Sequence, residues 1–244
     1  GEWGAGRMAE PDEIYRRARE LLGETDSLSG RRVLVSAGGT REPLDAVRFL
    51  GNRSSGRMGV ALAEEAKRRG AHVTLLAANL AVPAPEGVEV VETPTAETML
   101  VEALARRDVD VVLMAAAVAD YRPADTVTEK RPKDERPWQV VLEPTTDVLA
   151  TLAEGRSNGQ VLIGFAADRG KSGLQRAREK LERKHVDLVV YNDVSRDDVG
   201  FDAEDNDVVL VAADGERRVA KAAKDRIAAA IVDAAEELLR ERAG

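Results

Sequence analysis

The stretch RRVLVSAGGTREPLDAVRFLGNRSSGRMGVALAEEAKRRGAHVTLLAA, residues 31–78, decides the fold. Val33–Ala37 is a compact apolar run of strand length, followed at once by Gly38 and Gly39. Ser55–Arg69 reads as a helix, because Met58, Leu62 and Ala66 recur at helical spacing and Gly70 supplies a stop. Val73–Ala78 is a second apolar run. Strand, helix and strand in this order predict a mostly parallel sheet covered on both faces, since parallel strands need helical crossovers. The expected fold class is therefore α/β, a Rossmann-like three-layer domain with right-handed connections.

The same alternation continues toward the C-terminus. Val88–Glu92 is a strand, Thr95–Arg107 a helix carrying Leu100 and Leu104, and Val109–Ala119 the most apolar run of the chain. An irregular stretch rich in proline and charge, Tyr121–Pro137, precedes a short strand at Trp138–Leu142 and a helix over Thr146–Glu154. Val161–Ala167, Gly173–Lys184 and Asp187–Tyr191 read as strand, helix and strand. Val208–Ala212 and Arg217–Val219, joined through Asp214-Gly215, predict a hairpin. A last helix shows Ile227, Ile231, Ala234 and Leu238 on one face. Residues 1–30 stand apart: a short helix with Ile14, Ala18, Leu21 and Leu22 on one side, then a polar linker. The domain is expected over residues 31–244. Tyr121–Pro137 is long for a loop without structure, and a lid that orders on substrate binding is expected there.

Composition excludes several function classes. Of 244 residues 43% are hydrophobic but only 3% aromatic, so the core has to be aliphatic. Asp and Glu outnumber Lys and Arg by 44 to 36, a formal charge of −8, which argues against a nucleic-acid partner. Without cysteine there is no disulfide, thiol nucleophile or thiolate metal site, and the two histidines, His72 and His185, are too few for a zinc centre of that type. The longest apolar run covers about half of the roughly 20 residues that span a bilayer, and residues 1–30 contain no signal-peptide core. A cytoplasmic protein without membrane contact is expected.

Ligands of open α/β sheets bind beyond the carboxyl ends of the strands. The residues there are Gly38-Gly39-Thr40-Arg41-Glu42-Pro43, Val118-Ala119-Asp120-Tyr121, Gly164–Asp168 and Tyr191-Asn192-Asp193. Gly51–Gly59 opens the first helix, where backbone N–H groups and the helix dipole favour an anion. It half-matches the P-loop pattern, but Arg57 stands for the lysine and Met58 for the magnesium-holding hydroxyl, and it lacks the dinucleotide fingerprint Gly-x-Gly-x-x-Gly. Lys130, in the charged stretch Glu129–Lys133, and Lys180 with Lys184, four residues apart on one helix, are candidates for a polyphosphate.

Ser36–Asp45, Asn52–Gly59, Ala116–Tyr121 and Gly164–Ala167 occur in an order that resembles phosphopantothenoylcysteine synthetases, the carboxyl-terminal half of a bifunctional bacterial enzyme, from about Arg31 onward. Gly4–Pro11 looks like the tail of the preceding decarboxylase half. Gly39 stands where proline is common, and Thr145-Thr146-Asp147 where Asn-Pro-Asp is usual. The resemblance implies CTP-dependent joining of 4′-phosphopantothenate to L-cysteine through an acyl-cytidylate, with Mg²⁺ held mainly through the nucleotide phosphates. It implies that Lys130 serves acyl-cytidylate formation and Asn52 holds the intermediate. It assigns CTP contacts to Ser54, Ser55, Gly56, Asp120, Lys130, Thr146, Asp147, Val148, Leu149, Phe165, Lys180 and Lys184. Gly38, Gly39, Asn52, Ala116 and Ala117 fall to phosphopantothenate. A homodimer is implied, with Arg48 reaching the partner's site, and a decarboxylase domain in the full-length chain. Two alternatives stand beside it, an NAD(P)-dependent oxidoreductase and a non-catalytic nucleotide-sensing domain.

Overall fold

The computed structural model describes residues 25–168, 170–193 and 205–243, together with Glu10, Pro11, Glu13, Ile14 and Arg17. Pro11, Glu13, Ile14 and Arg17 are helical, while Ala18, Leu21 and Leu22 of the expected N-terminal helix lie outside the described residues. Of the linker, Thr25 and Leu28 donate their N–H groups to the Arg68 and Arg69 carbonyls.

Strand β1 (Arg32–Gly38) is followed by a small hairpin, β2 (Arg41–Pro43) and β3 (Phe49–Gly51), then helix α1 (Arg57–Arg68) and β4 (His72–Ala78). Next come β5 (Glu89–Glu92), α2 (Ala96–Ala105), β6 (Val111–Met114), β7 (Tyr121–Pro123), β8 (Leu142–Pro144) and α3 (Val148–Glu154). The chain continues through β9 (Val161–Asp168), α4 (Gly170–Lys184), β10 (Leu188–Asp193), β11 (Asp205–Ala212), β12 (Gly215–Ala223) and α5 (Lys224–Ala243). The main sheet runs β12-β11-β10-β9-β6-β1-β4-β5. Its members from β10 to β5 are parallel, and β11–β12 add an antiparallel edge.

Alternation along the strands fills both faces, because successive side chains point to opposite sides. Val33, Val35, Val111, Leu113, Val161 and Ile163 meet Leu62 and Ala66 of α1 and Ile227 and Ile231 of α5. Their neighbours Leu34, Val112, Met114 and Leu162 meet Met99 of α2, Leu152 of α3 and Ala177 and Leu181 of α4. The three-layer Rossmann-like expectation is met. Full burial of each Val, Leu, Ile or Met side chain among them contributes about 1.5–3 kcal/mol.

Two local expectations need correction, and one element had no expectation. Only Val111–Met114 of the run Val109–Ala119 is strand, because the alanines beyond it leave the sheet. The strand expected at Trp138–Leu142 is Leu142–Pro144, which pairs with β7, so the stretch expected to be irregular begins in a ladder. Hairpin β2–β3 has no apolar alternation and was invisible to the pattern.

Helix α1 reaches the sheet through Gly59, where an added Cβ would lie 2.4 Å from the Ala37 Cβ and 2.7 Å from the Ser36 carbonyl oxygen. Gly59→Ala should therefore overpack this contact and lower stability by about 1–3 kcal/mol. Urea denaturation checks it; an unchanged midpoint would mean that α1 can lift off β1 without cost.

Candidate active site

Between β1 and β6 the strand connections part in opposite directions: the chain leaves β1 toward β4 and β5, then returns to lay β6 on the other side. Such a switch point opens a crevice beyond the carboxyl ends of the two strands. Past Met114 the segment Ala115–Ala119 climbs out of the sheet, keeping one bridge between Gly39 and Ala117. Its N–H groups then need new partners. The buried hydroxyls of Ser36 and Thr40 accept from Ala116 and Ala119 at 3.1 and 2.9 Å.

A cavity of about 560 Å³ occupies the crevice. Its lining combines Asn52, Ala115–Asp120, Thr145–Leu149 and Phe165–Asp168 with Arg176, Lys180, Arg183 and Lys184 of α4. Ala115 and Phe165–Ala167 are shared with a smaller compartment of about 70 Å³, formed by Ser54–Gly59, Asn192, Asn206, Val208 and Lys224. There no side chain caps α1, so the N–H groups of its first turn face the compartment's lining without a capping oxygen. The Asn192 Oδ1 is buried beside them without a protein partner.

Each wall is fixed by main-chain bonds. Asn52 donates Nδ2 to the Val118 carbonyl at 3.0 Å, and Thr145 donates Oγ1 to the Ala119 carbonyl at 2.5 Å. Asp147 caps α3 by accepting the Ala150 N–H at 3.0 Å and forms an ion pair with Lys184. Lys180 donates Nζ to the Phe165 carbonyl at 2.6 Å. Burial lowers the Lys180 pKa, with Asp120 pulling upward and Arg183 adding to the depression. Burial lowers that of Lys184 as well, again opposed by Asp120. Both ammonium groups are thus held in a setting that gains from an added negative charge.

The crevice gathers most of the expected residues. Asn52, Ala116, Ala117, Asp120, Thr146, Asp147, Val148, Leu149, Phe165, Lys180 and Lys184 line the larger compartment. Ser54, Ser55 and Gly56 line the smaller one, apart from Lys180 and Lys184. Gly38 and Gly39 line neither: a Cβ on Gly38 would strike the Ala78 carbonyl oxygen at 1.9 Å, so this residue serves strand packing. Lys130 is exposed on the arm between β7 and β8 and lines neither compartment. Arg48 is engaged within its own chain, by Asp45 at 3.1 Å and the Arg131 carbonyl at 3.2 Å. Sequence reasoning placed Asn192 at the ligand-binding edge without giving it a role, and missed Arg176 and Arg183. Arg176 had a signal, since it continues the Lys180–Lys184 spacing one turn earlier; it pairs with Asp168 at 2.5 Å.

Residues 28–239 match the model of the DNA/pantothenate metabolism flavoprotein C-terminal domain. The chain is 44% identical over 248 residues to the Coenzyme A biosynthesis bifunctional protein CoaBC of Mycobacterium tuberculosis, covering 95% of this chain and 59% of that protein. The protein of the same name from Bacillus subtilis is 38% identical over 222 residues, 89% of this chain and 54% of its own length. The chain thus spans little more than half the length of these relatives. A crystal structure of the C-terminal domain of Coenzyme A biosynthesis bifunctional protein CoaBC superposes with a TM-score of 0.75 at 35% identity, covering 89% of this chain and 100% of that one.

An anion seated against Lys180 should raise its depressed pKa. In alkaline solution, between the free and the bound values, binding of tripolyphosphate should then take up protons, because amine that was neutral becomes ammonium. Calorimetry in two buffers of different ionisation enthalpy measures that uptake, and Lys180→Met should reduce it to the share of Lys184. Proton release, or uptake unchanged in the variant, would place the anion elsewhere.

Proposed function

The chain belongs to the family of the DNA/pantothenate metabolism flavoprotein C-terminal domain, and from that membership we propose that it is a phosphopantothenate–cysteine ligase of coenzyme A biosynthesis, driven by CTP. The observation that carries the proposal is the pair of adjoining compartments: an anion cradle at a helix N-terminus, and a larger space walled by lysines and arginines. Two phosphorylated substrates can lie end to end in them, the acid's phosphate on Ser54–Gly56 and Asn192, the triphosphate toward Lys180 and Lys184. Their reacting ends would meet along Ala115–Ala117 beside Asn52.

In the first half-reaction a carboxylate oxygen attacks the α-phosphorus of CTP and pyrophosphate leaves. In the second the cysteine amine attacks the acyl carbon, the amide forms and CMP leaves. Neither needs a protein nucleophile, so placement and charge neutralisation carry the chemistry. The small alanine side chains leave room for both substrates. Asn52, whose amide bonds the Val118 carbonyl, would hold the acyl-cytidylate. Asp120 faces the two lysines and would hold Mg²⁺ together with the nucleotide phosphates, an ion that suits one or two carboxylates plus phosphate oxygens. When bound, that ion neutralises phosphate charge. Lys130 would reach the phosphates when its arm moves together with the β2–β3 hairpin.

A homodimer and a decarboxylase partner domain are part of the proposal. Its support is the apolar surface of the two arms, where Val47 and Val141 are 61% and 71% exposed beside the exposed Phe49, Val127 and Leu142. For an NAD(P) oxidoreductase the strand order is favourable, but β1 is followed by a hairpin, and α1 begins only at Arg57.

Lys130→Gln should slow pyrophosphate release by about 10²–10³-fold, the typical loss for a transition-state contact. Asn52→Asp should let the acyl-cytidylate accumulate and slow its use by cysteine, since a carboxylate cannot donate the amide's hydrogen bond. Rapid-quench analysis with 4′-phosphopantothenate, CTP, Mg²⁺ and cysteine separates the two steps. Loss of the cysteine step alone in both variants would contradict the assignments.

A further inference from the structure

Asp45 is an acid that has no business being buried in a surface hairpin unless it holds something: it is 4% exposed, and a carboxylate leaves water only when its oxygens are paired. Its two oxygens divide their work. Oδ1 accepts the N–H groups of Val47 and Arg48, both at 2.8 Å, and so closes the turn of the β2–β3 hairpin. Oδ2 accepts the N–H of Arg131 at 3.3 Å, across to the arm between β7 and β8, and pairs with the Arg48 guanidinium at 3.1 Å. Arg48 in turn donates to the Arg131 carbonyl at 3.2 Å. The guanidiniums of Arg48 and Arg131 lie over the half-buried Trp138 ring, 5.3 and 4.9 Å from its centroid. Both backbone polar groups of Arg131, the residue next to Lys130, are thus taken by one hairpin.

We propose that Asp45, with Arg48, Arg131 and Trp138, forms a latch that makes the two arms one body and so positions Lys130 for pyrophosphate departure. Asp45 is then a positioning residue, which touches no substrate. The role given to Lys130 rests on the ligase reading above; the latch itself rests on the contacts alone. A second tie, the Val127 N–H to the Leu44 carbonyl at 3.3 Å, lies in the same seam.

Asp45→Asn separates the two functions of the carboxylate. The retained carbonyl oxygen can still accept from Val47 and Arg48, whereas the amide nitrogen would turn donors toward the Arg131 N–H and the Arg48 guanidinium. Trp138→Ala removes the stacking platform without touching Asp45, and Trp138→Phe keeps a ring there. Two readouts are needed: limited trypsin cleavage after Lys130 and Lys133, and pyrophosphate release in single turnover, with far-UV circular dichroism as the check on folding. Asp45→Asn and Trp138→Ala should both speed cleavage and slow pyrophosphate release by about tenfold or more, as expected for a misplaced group. Trp138→Phe should stay close to the parent. Added to Lys130→Gln, Asp45→Asn should slow pyrophosphate release no further. Cleavage unchanged in both disruptive variants overturns the latch, as does faster pyrophosphate release in either. Faster cleavage with unaltered pyrophosphate release, while Lys130→Gln slows it, overturns the positioning role. Faster cleavage with Lys130→Gln itself inert upholds the join between the arms and sinks the ligase role of Lys130 instead.

Discussion

When a strand leaves a buried parallel sheet, its peptide groups lose their ladder partners, and the rest of this structure is arranged around that constraint at Ala115–Ala119. The exit is satisfied group by group. Ser36 and Thr40 accept from the N–H groups of Ala116 and Ala119, Ala117 donates to the Gly38 carbonyl, and the carbonyls of Val118 and Ala119 accept from Asn52 and Thr145. Leaving the buried N–H of Ala119 unpaired would cost about 1–3 kcal/mol, so this end of the crevice is held as the core beneath it is. The alanine run therefore serves two ends: its backbone carries the bonds, and its small side chains leave the space that a ligand can fill.

Charge is distributed against the net balance of the chain. The protein is acidic overall, yet α4 turns Arg176, Lys180, Arg183 and Lys184 into one cavity, and α1 turns its N-terminus into the next. Three of these cations are held by internal partners: Lys180 by the Phe165 carbonyl, Lys184 by Asp147, Arg176 by Asp168. A phosphate would compete with groups already in place, which favours ligands of high charge over weak anions.

The two acids of the motif Arg41–Asp45 carry structure. Glu42, 3% exposed, accepts the Ala96 N–H at 2.9 Å, at the dipole-positive first turn of α2, and so ties the hairpin to the domain. Asp45 ties the hairpin to the second arm. In Asp45 burial works to raise the carboxyl pKa, but the N–H groups of Val47, Arg48 and Arg131 and the charge of Arg48 outweigh it and hold it below the ordinary 3.8. The join between the arms is therefore strongest above that value and weakens as pH falls through the depressed one.

The sequence by itself determined the layered α/β architecture, because apolar patterning is a local property: compact runs of strand length in Val33–Ala37 and Val161–Ala167, a spacing of 3.6 in Met58–Ala66. It also determined that the motif loops share one edge of the sheet, since parallel strands all end on the same side. What it did not contain was the path of the chain beyond that edge. The end of the strand within Val109–Ala119 is not legible, because nothing in an apolar run marks where its ladder partners give out. Hairpin β2–β3, the separation of Ser54–Gly56 from Lys180 and Lys184, the inclusion of Asn192 and the capture of Arg48 and Arg131 by Asp45 all depend on contacts between distant segments. Those contacts are polar and irregular, so they have no period to read. Only the packed tertiary structure, which brings residues 36, 52, 116 and 145 within hydrogen-bonding reach of one exit, decides them.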